Sequence, residues 1–301
     1  MSHERRHFCK LGSVLAIVTL FVFAANAAQA AETTNRLAQN RLAQNRLAQN
    51  RLSSNRLAQN ALSSTSLEAL EATEDMLATA EGRELYSYIV SCALADGVTI
   101  NADVLDAANT EPPATLYTCL DGHCTFQGSL GLAEDWIDHK LGPRGQRWVS
   151  ACLLARVNLH DTTDAISLRG PHNSLTVTVD EAELYAVEEG AFYGNIFSGD
   201  PNGPIDWNCC RGEGQASGEF GGLELRDCAE EDLANPGFTL CGFKYAGDCA
   251  DYSPEFPSPY ACKVFNAGQG TYEECYTEAG DGKWPSLKTY REVITVYVTT
   301  D

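Results

Sequence analysis

Residues 115–128 read TLYTCLDGHCTFQG, and their local chemistry sets the fold of the surrounding chain. Asp121-Gly122 is the dipeptide that a two-residue type I′ turn demands, because both central positions need positive φ. Leu120 then faces His123 as the hydrogen-bonded pair, and Cys119 faces Cys124 as the next, non-hydrogen-bonded pair. Cα atoms in such a pair lie about 4.5 Å apart, within the range that a disulfide bridges. The stretch predicts a β-hairpin closed by a bond between Cys119 and Cys124. A metal site is the competing use of a close cysteine pair, but a lone C-x4-C with one histidine between is a poor zinc pattern.

A disulfide needs an oxidising compartment, and the start of the chain supplies a route to one. Arg5, Arg6 and Lys10 flank the start of the apolar run LGSVLAIVTLFVFAANAA, and Ala28-Gln29-Ala30 has the small-x-small pattern that signal peptidase cuts. Residues 1–30 are therefore read as a signal peptide cleaved after Ala30. The rival is an uncleaved anchor, since a run of about 18 residues is near the lower limit of a membrane span. Cys9 precedes the apolar run, which argues against a lipid anchor at that residue. No second run of that length follows, so no membrane span is expected in the mature chain. The expected location is secreted, periplasmic or at the cell surface.

The chain has 301 residues, 44% of them hydrophobic, and a net charge of -20. Such a composition belongs to folded proteins and not to disordered tails. The charge is unevenly spread: Arg36, Arg41, Arg46, Arg51 and Arg56 stand against Glu32 in residues 31–65, so the remainder is more acidic than the whole. An acidic domain repels phosphates and anionic lipid, which argues against nucleic acid as the domain's partner and leaves only the basic stretch 31–65 to touch such groups.

On either side of the hairpin lie two apolar helices. In GRELYSYIVSCALADG, Leu85, Tyr88, Ile89 and Cys92 fall at i, i+3, i+4 and i+7, and Gly97 ends the pattern. In PRGQRWVSACLLARVN, Pro143 suits the first turn, and Trp148, Cys152 and Ala155 share a face. Each helix buries a cysteine, and Cys92 with Cys152 is the expected second bond. A shorter helix is read from Thr65 and Glu68 as a capping box, with Leu67, Leu70 and Leu77 on one side.

Cys209, Cys210, Cys228, Cys241, Cys249, Cys262 and Cys275 crowd the last third. Their number is odd, so a thiol is left over, and adjacent Cys209 and Cys210 are the candidates for it. Short loops favour Cys241 with Cys249 and Cys262 with Cys275. Around them SLTVTV, GAFYGNIF, LELRDC, CGFKYAG and REVITVYVTT read as strands separated by turn residues. The expected fold class is α+β: a helical N-terminal half packed on a β-rich, disulfide-stapled C-terminal half. The expected organisation is a signal peptide (1–30), a repeat tether (31–65) and one cysteine-rich domain (66–301), with a possible division near 170.

The tether repeats five residues: NRLAQNRLAQNRLAQNRLSSNRLAQNAL covers 35–62. Leucines five apart form no stripe on an α-helix and alternate faces on a strand. A square solenoid uses the spacing, with one five-residue side per corner and every leucine on the axis. In this the stretch resembles the pentapeptide-repeat family, although arginines stand where that family has Asn or Asp. The resemblance implies a short solenoid that stacks on the domain or on other copies, against which stands a weakly basic spacer. The order of RWVSACLLARVN, ISLRGPH, EGAFYGNIF, CGFKYAGDCA and REVITVYV behind an NRL-type repeat is similar to a group of secreted bacterial proteins of uncharacterised activity. That resemblance implies secretion and a shared architecture, and no activity.

Catalytic chemistry is weakly signalled. His123, His139, His160 and His172 have no metal-pair spacing, and no nucleophile elbow, zincin, phosphate-loop or dinucleotide motif occurs. No cofactor and no metal is expected. A hydrolase would need a carboxylate pair such as Glu188 or Glu189 with Asp206; Cys209 or Cys210 with His172 is a weaker nucleophile–base pair. SGDPNGPID offers Asp200, Asn202 and Asp206 around a turn, without the glycine and glutamate positions of an EF-type calcium loop. Trp136, Trp207, Trp284, Tyr193 and Tyr260 either stack on a sugar or fill the core. The reading that best fits is a non-enzymatic, disulfide-braced domain binding a glycan, an envelope component or another protein. A secreted hydrolase and a subunit that self-associates through its repeats or its odd cysteine are the alternatives.

Overall fold

The computed structural model describes residues 31–34, 37–38, 56–63, 74, 76–104, 116–158, 165–197, 206–213, 228–229, 231–250, 262–278 and 287–299. The leader, the repeat copies between 39 and 55, the helix read around Leu67 and Leu70, and the turn holding Asp200 and Asn202 lie outside them.

The described chain is dominated by β-sheet. Its elements are β1 (Ala31–Thr34), β2 (Leu37–Ala38), α1 (Ala80–Ala93), β3 (Thr99–Asp103), β4 (Tyr117–Leu120), β5 (His123–Gln127), α2 (Pro143–Ala155), β6 (Val157–Asn158), β7 (Ala165–Arg169), α3 (Val179–Leu184), β8 (Val187–Gly194), β9 (Trp207–Arg211), β10 (Lys244–Asp248), β11 (Cys262–Asn266), β12 (Thr271–Glu278), β13 (Leu287–Tyr290) and β14 (Ile294–Val298). The central sheet has six strands in the order β1-β7-β14-β8-β9-β10, antiparallel except for the β9/β10 pair. β11-β12-β13 and β3-β5-β4 form two antiparallel three-stranded sheets, and β2 lies parallel to β6.

This overturns the expected division into a helical N-terminal half and a β-rich C-terminal half. The N-terminal half carries its own three-stranded sheet, β3-β5-β4. α1 and α2 do not form a separate helical layer: α2 packs on β8 and β14, and α1 packs on α2 and β5. The helical periodicity located both helices. It carried no information on the strands between and after them, whose pairing is non-local. SLTVTV is also not a strand. Thr178 Oγ1 accepts from Glu181 N–H at 3.3 Å and starts α3, with Asp180 and Glu181 in the favourable first turn.

The hairpin turn is made by two residues at positive φ, 49° for Asp121 and 82° for Gly122. Cys119 lies opposite Cys124 with a Cα–Cα distance of 4.0 Å, and the two are bonded. α1 begins where Thr79 Oγ1 accepts from Gly82 N–H at 3.0 Å and buries Leu85, Tyr88, Ile89 and Cys92. Cys92 bonds to Cys152 of α2. Beside that bond the buried Arg156 guanidinium lies 4.5 Å from the Tyr88 ring centroid and donates to Ser91 Oγ at 3.0 Å. Burial lowers its pKa to about 10, so it stays charged at neutral pH.

Two apolar clusters fill the molecule, one on each face of the central sheet. Phe192 and Cys209 belong to the cluster that includes α1, α2 and the hairpin. Ala191, Tyr193 and Cys210 belong to the other, with Tyr272, Cys275 and Tyr290 of the small C-terminal sheet. Successive strand residues point to opposite faces, which explains why all of β8 is buried. Gly190 is needed in that crowded strand, because a Cβ there would lie 2.4 Å from the Cys210 carbonyl oxygen.

The same alternation sorts the remaining cysteines. Cys210 faces the small sheet and bonds to Cys249, whereas Cys209 faces the helices and is not in a disulfide. Cys228 bonds to Cys241, and Cys262 to Cys275. The expected Cys241–Cys249 bond gives way because Cys249 lies beside β9, while Cys241 turns toward the opposite cluster. In the chain-entropy picture the 60-residue separation of Cys92 and Cys152 makes that bond worth about 4 kcal/mol, against about 2 kcal/mol for Cys119–Cys124. Urea titration of the C92S/C152S and C119S/C124S variants should show the larger loss in the first; the reverse order would contradict this assignment.

Candidate functional site

α2 enters the sheet region at a corner where the small C-terminal sheet meets β14. There a cleft of about 800 Å³ is lined by Arg144, Arg147 and Trp148 from α2, Pro171 after β7, Glu273 and Glu274 of β12, Thr289 of β13, and Arg291 and Glu292 from the β13–β14 connection. Arg147 is fixed in the wall: its Nε donates to Glu292 Oε2 at 2.6 Å and its Nη2 to Oε1 at 3.1 Å. That bidentate pair holds the guanidinium pKa above its ordinary value. Arg144 is 75% exposed, with a looser 3.8 Å contact to Glu292, and Arg291 is exposed.

His172 stands behind this wall, its ring edge-on to Trp148 with centroids 5.2 Å apart. Its Nδ1 accepts from Ser174 N–H at 3.2 Å, which caps the short turn Asn173–Leu175 and leaves the proton on Nε2. Burial, with the positive charge of Arg144, lowers its pKa, so it is neutral at pH 7 and adds no charge to the cleft.

Next to the cleft, Asp206 is locked by Tyr290, whose hydroxyl lies 2.5 and 2.6 Å from its two carboxylate oxygens, and by Lys288 Nζ at 2.5 Å. Asn208 Nδ2 adds a bond at 3.2 Å. Burial and the Asp206 charge push the Tyr290 hydroxyl well above its usual range. Asp206 is thereby a structural anchor for β13 and not an open calcium ligand.

The carboxylate pair considered for hydrolysis is not assembled. β8 and β9 are antiparallel with Gly190 opposite Arg211 and Gly194 opposite Trp207. Glu188 and Asp206 thus sit at opposite ends of the pair, about 20 Å apart at the rise of a strand. Glu188 belongs to a different buried group. Tyr297 Oη donates to its Oε2 at 3.3 Å, and the Arg169 guanidinium lies 3.6 Å from the Tyr297 ring centroid. Arg169 Nη2 donates to the Tyr185 carbonyl at 2.6 Å.

The thiol readings fail as well: Cys210 is bonded and Cys209 is buried, so neither attacks a substrate and Cys209 does not reach another molecule. Among the described residues, the sulfurs with metal-like spacing are those of Cys210, Cys249 and Cys262, all within 4.8 Å; disulfides take up all three. Trp136, Trp207 and Tyr193 are buried core residues and offer a sugar no platform, while Trp284 and Tyr260 lie outside the described residues. Sequence reasoning did not find the cleft: nothing in the local context of Arg144, Arg147 or Arg291 signals that they converge. Among the described residues, no helix is long and apolar enough to cross a membrane. Comparison of the chain with protein-family models, curated proteins and solved structures finds no match.

Burial raises the Glu188 carboxyl above its usual 4.5, against hydrogen bonding from Tyr272 and with added repulsion from Glu213. A carboxyl raised on folding contributes stability below its unfolded pKa, and that contribution is lost as pH rises through the folded value. Glu188→Gln should therefore stabilise the protein at pH 7.5 more than at pH 4.5. Urea midpoints at the two pH values check this; equal effects at both would contradict it.

Proposed function

We propose that the protein is a secreted, non-enzymatic binding domain, braced by disulfides, whose cleft takes a carboxylate-bearing glycan of the cell envelope. Five disulfides among the described residues, Cys92–Cys152, Cys119–Cys124, Cys210–Cys249, Cys228–Cys241 and Cys262–Cys275, fit an extracellular-type domain. The observation that carries the ligand assignment is the pair of exposed guanidinium groups, Arg144 and Arg291, at one cleft of a chain with 21 basic against 41 acidic residues.

Exposed guanidinium forks suit a carboxylate, which they bind in a bidentate manner. Glu273 and Glu274 on the facing strand are acceptors for sugar hydroxyls. A neutral sugar would satisfy only the second set, and a simple anion only the first; an acidic sugar satisfies both. Arg147, already held by Glu292, orients the wall instead of binding directly.

Calorimetric titration with a uronic-acid oligosaccharide and with its carboxyl-reduced counterpart tests this. Binding should be confined to the acidic form and weaken with salt, and the R144A/R291A variant should lose about tenfold or more in affinity, since each 1.4 kcal/mol is tenfold. Equal binding of the two sugars, or full affinity in the variant, would overturn the proposal.

A further inference from the structure

The cleft carries both signs of charge, and the two do not cancel each other. Arg291 and Glu274 both line it, and neither has an ion-pair partner among the described residues. Glu273 accepts from the neutral Asn266 Nδ2 at 2.8 Å. Glu292 is taken up by Arg147, which leaves Arg144 with the loose 3.8 Å contact. Two carboxylates and two guanidinium groups are therefore left over at one cleft.

The strand register shows how they stay apart. β12 and β13 pair from Glu278 opposite Leu287 to Cys275 opposite Tyr290. One further step would set Glu274 against Arg291, a favourable cross-strand pair. The ladder stops short of it: β13 ends at Tyr290, and Glu292 is drawn to Arg147 of α2. Opposite charges that the fold brings to one cleft and keeps from pairing are completed by a ligand that carries both.

Glu273 and Glu274 are half-buried, so each carboxylate has lost part of its water. Sugar hydroxyls donate to a carboxylate but leave its charge in place, whereas an ammonium group neutralises the charge and makes a stronger, charge-assisted bond. A metal ion is the other cation to consider. It needs several converging oxygens, and among the described residues no three acidic or histidine side chains converge in that way.

Resting on the carboxylate-glycan reading above, we propose that the ligand also carries a free amine. It is an acidic glycan whose protonated, unacetylated sugar amine lies against Glu273 and Glu274 while its carboxylate lies against Arg144 and Arg291. An N-acetyl group in the same place is neutral, bulkier, and sets a methyl group beside two carboxylates. The cleft thereby distinguishes sugars from which the acetyl group has been removed.

Calorimetric titration of the full-length protein with an alternating uronic acid–glucosamine oligosaccharide, as the free amine and as its N-acetylated counterpart, tests this. The free amine should bind about tenfold or more tightly. E273Q/E274Q, in which an amide oxygen still accepts from Asn266, should lose that preference and bind the two forms alike; its binding of the N-acetylated form shows that it is folded. Equal or weaker binding of the amine by the natural protein, or a preference that survives in the variant, would overturn the inference. In that event, weaker binding of the carboxyl-reduced sugar would leave the carboxylate reading standing. If neither acidic form binds, the carboxylate reading fails and this inference fails with it.

Discussion

Two-sided burial of the central sheet is the constraint on which the rest of the structure depends. β8 runs through the middle of that sheet, flanked by β14 and β9, and both of its faces are covered. Its side chains must alternate between two apolar clusters, and its backbone must allow β9 to approach closely, which is why glycine stands at 190. The adjacent cysteines of β9 inherit the same alternation. One points to the helices and one to the small sheet, so two neighbours in sequence have different partners in space.

The position of α2 follows from the covering of one face. Its Cys152 ties it to α1, Ser150 Oγ accepts from Ile196 N–H at 2.9 Å just beyond β8, and Asn195 Nδ2 donates to Gln146 Oε1 at 3.2 Å. The N-terminal part of the helix thereby carries Arg144 and Arg147 to the cleft. Covering the other face brings the small sheet to the same corner with Glu273, Glu274 and the Arg291-Glu292 dipeptide. The cleft is the seam between the two coverings, and the Arg147–Glu292 pair closes it across 145 residues of sequence.

What was legible in the sequence is what local physical chemistry dictates. Asp121-Gly122 specifies its turn because few other dipeptides accept positive φ twice, and register then places Cys119 against Cys124. The i, i+3, i+4 pattern marks α1 and α2 because burial of a helical face has no other period. The fold class was misread because periodicity in two helices says nothing about how later strands order themselves in a sheet. The pairing of Cys241 was misread for a related reason: a short loop favours closure, but the face on which a strand presents its sulfur decides the partner. The arginine cleft was illegible, since its members are polar residues in unremarkable contexts assembled by tertiary packing. The burial of Leu57 and of Leu62, whose N–H bonds to the Trp136 carbonyl, was equally hidden, because a five-residue spacing belongs to no regular element.

The most direct test is disulfide mapping of the purified, unreduced protein, with thiols alkylated under denaturant before digestion. Two-sided burial predicts linked peptides joining Cys210 to Cys249 and Cys228 to Cys241, with the alkyl label on Cys209. A bond from Cys209 to Cys249, or one joining Cys241 to Cys249, would link sulfurs that two-sided burial puts in different clusters, on opposite faces of the sheet, and would contradict the account.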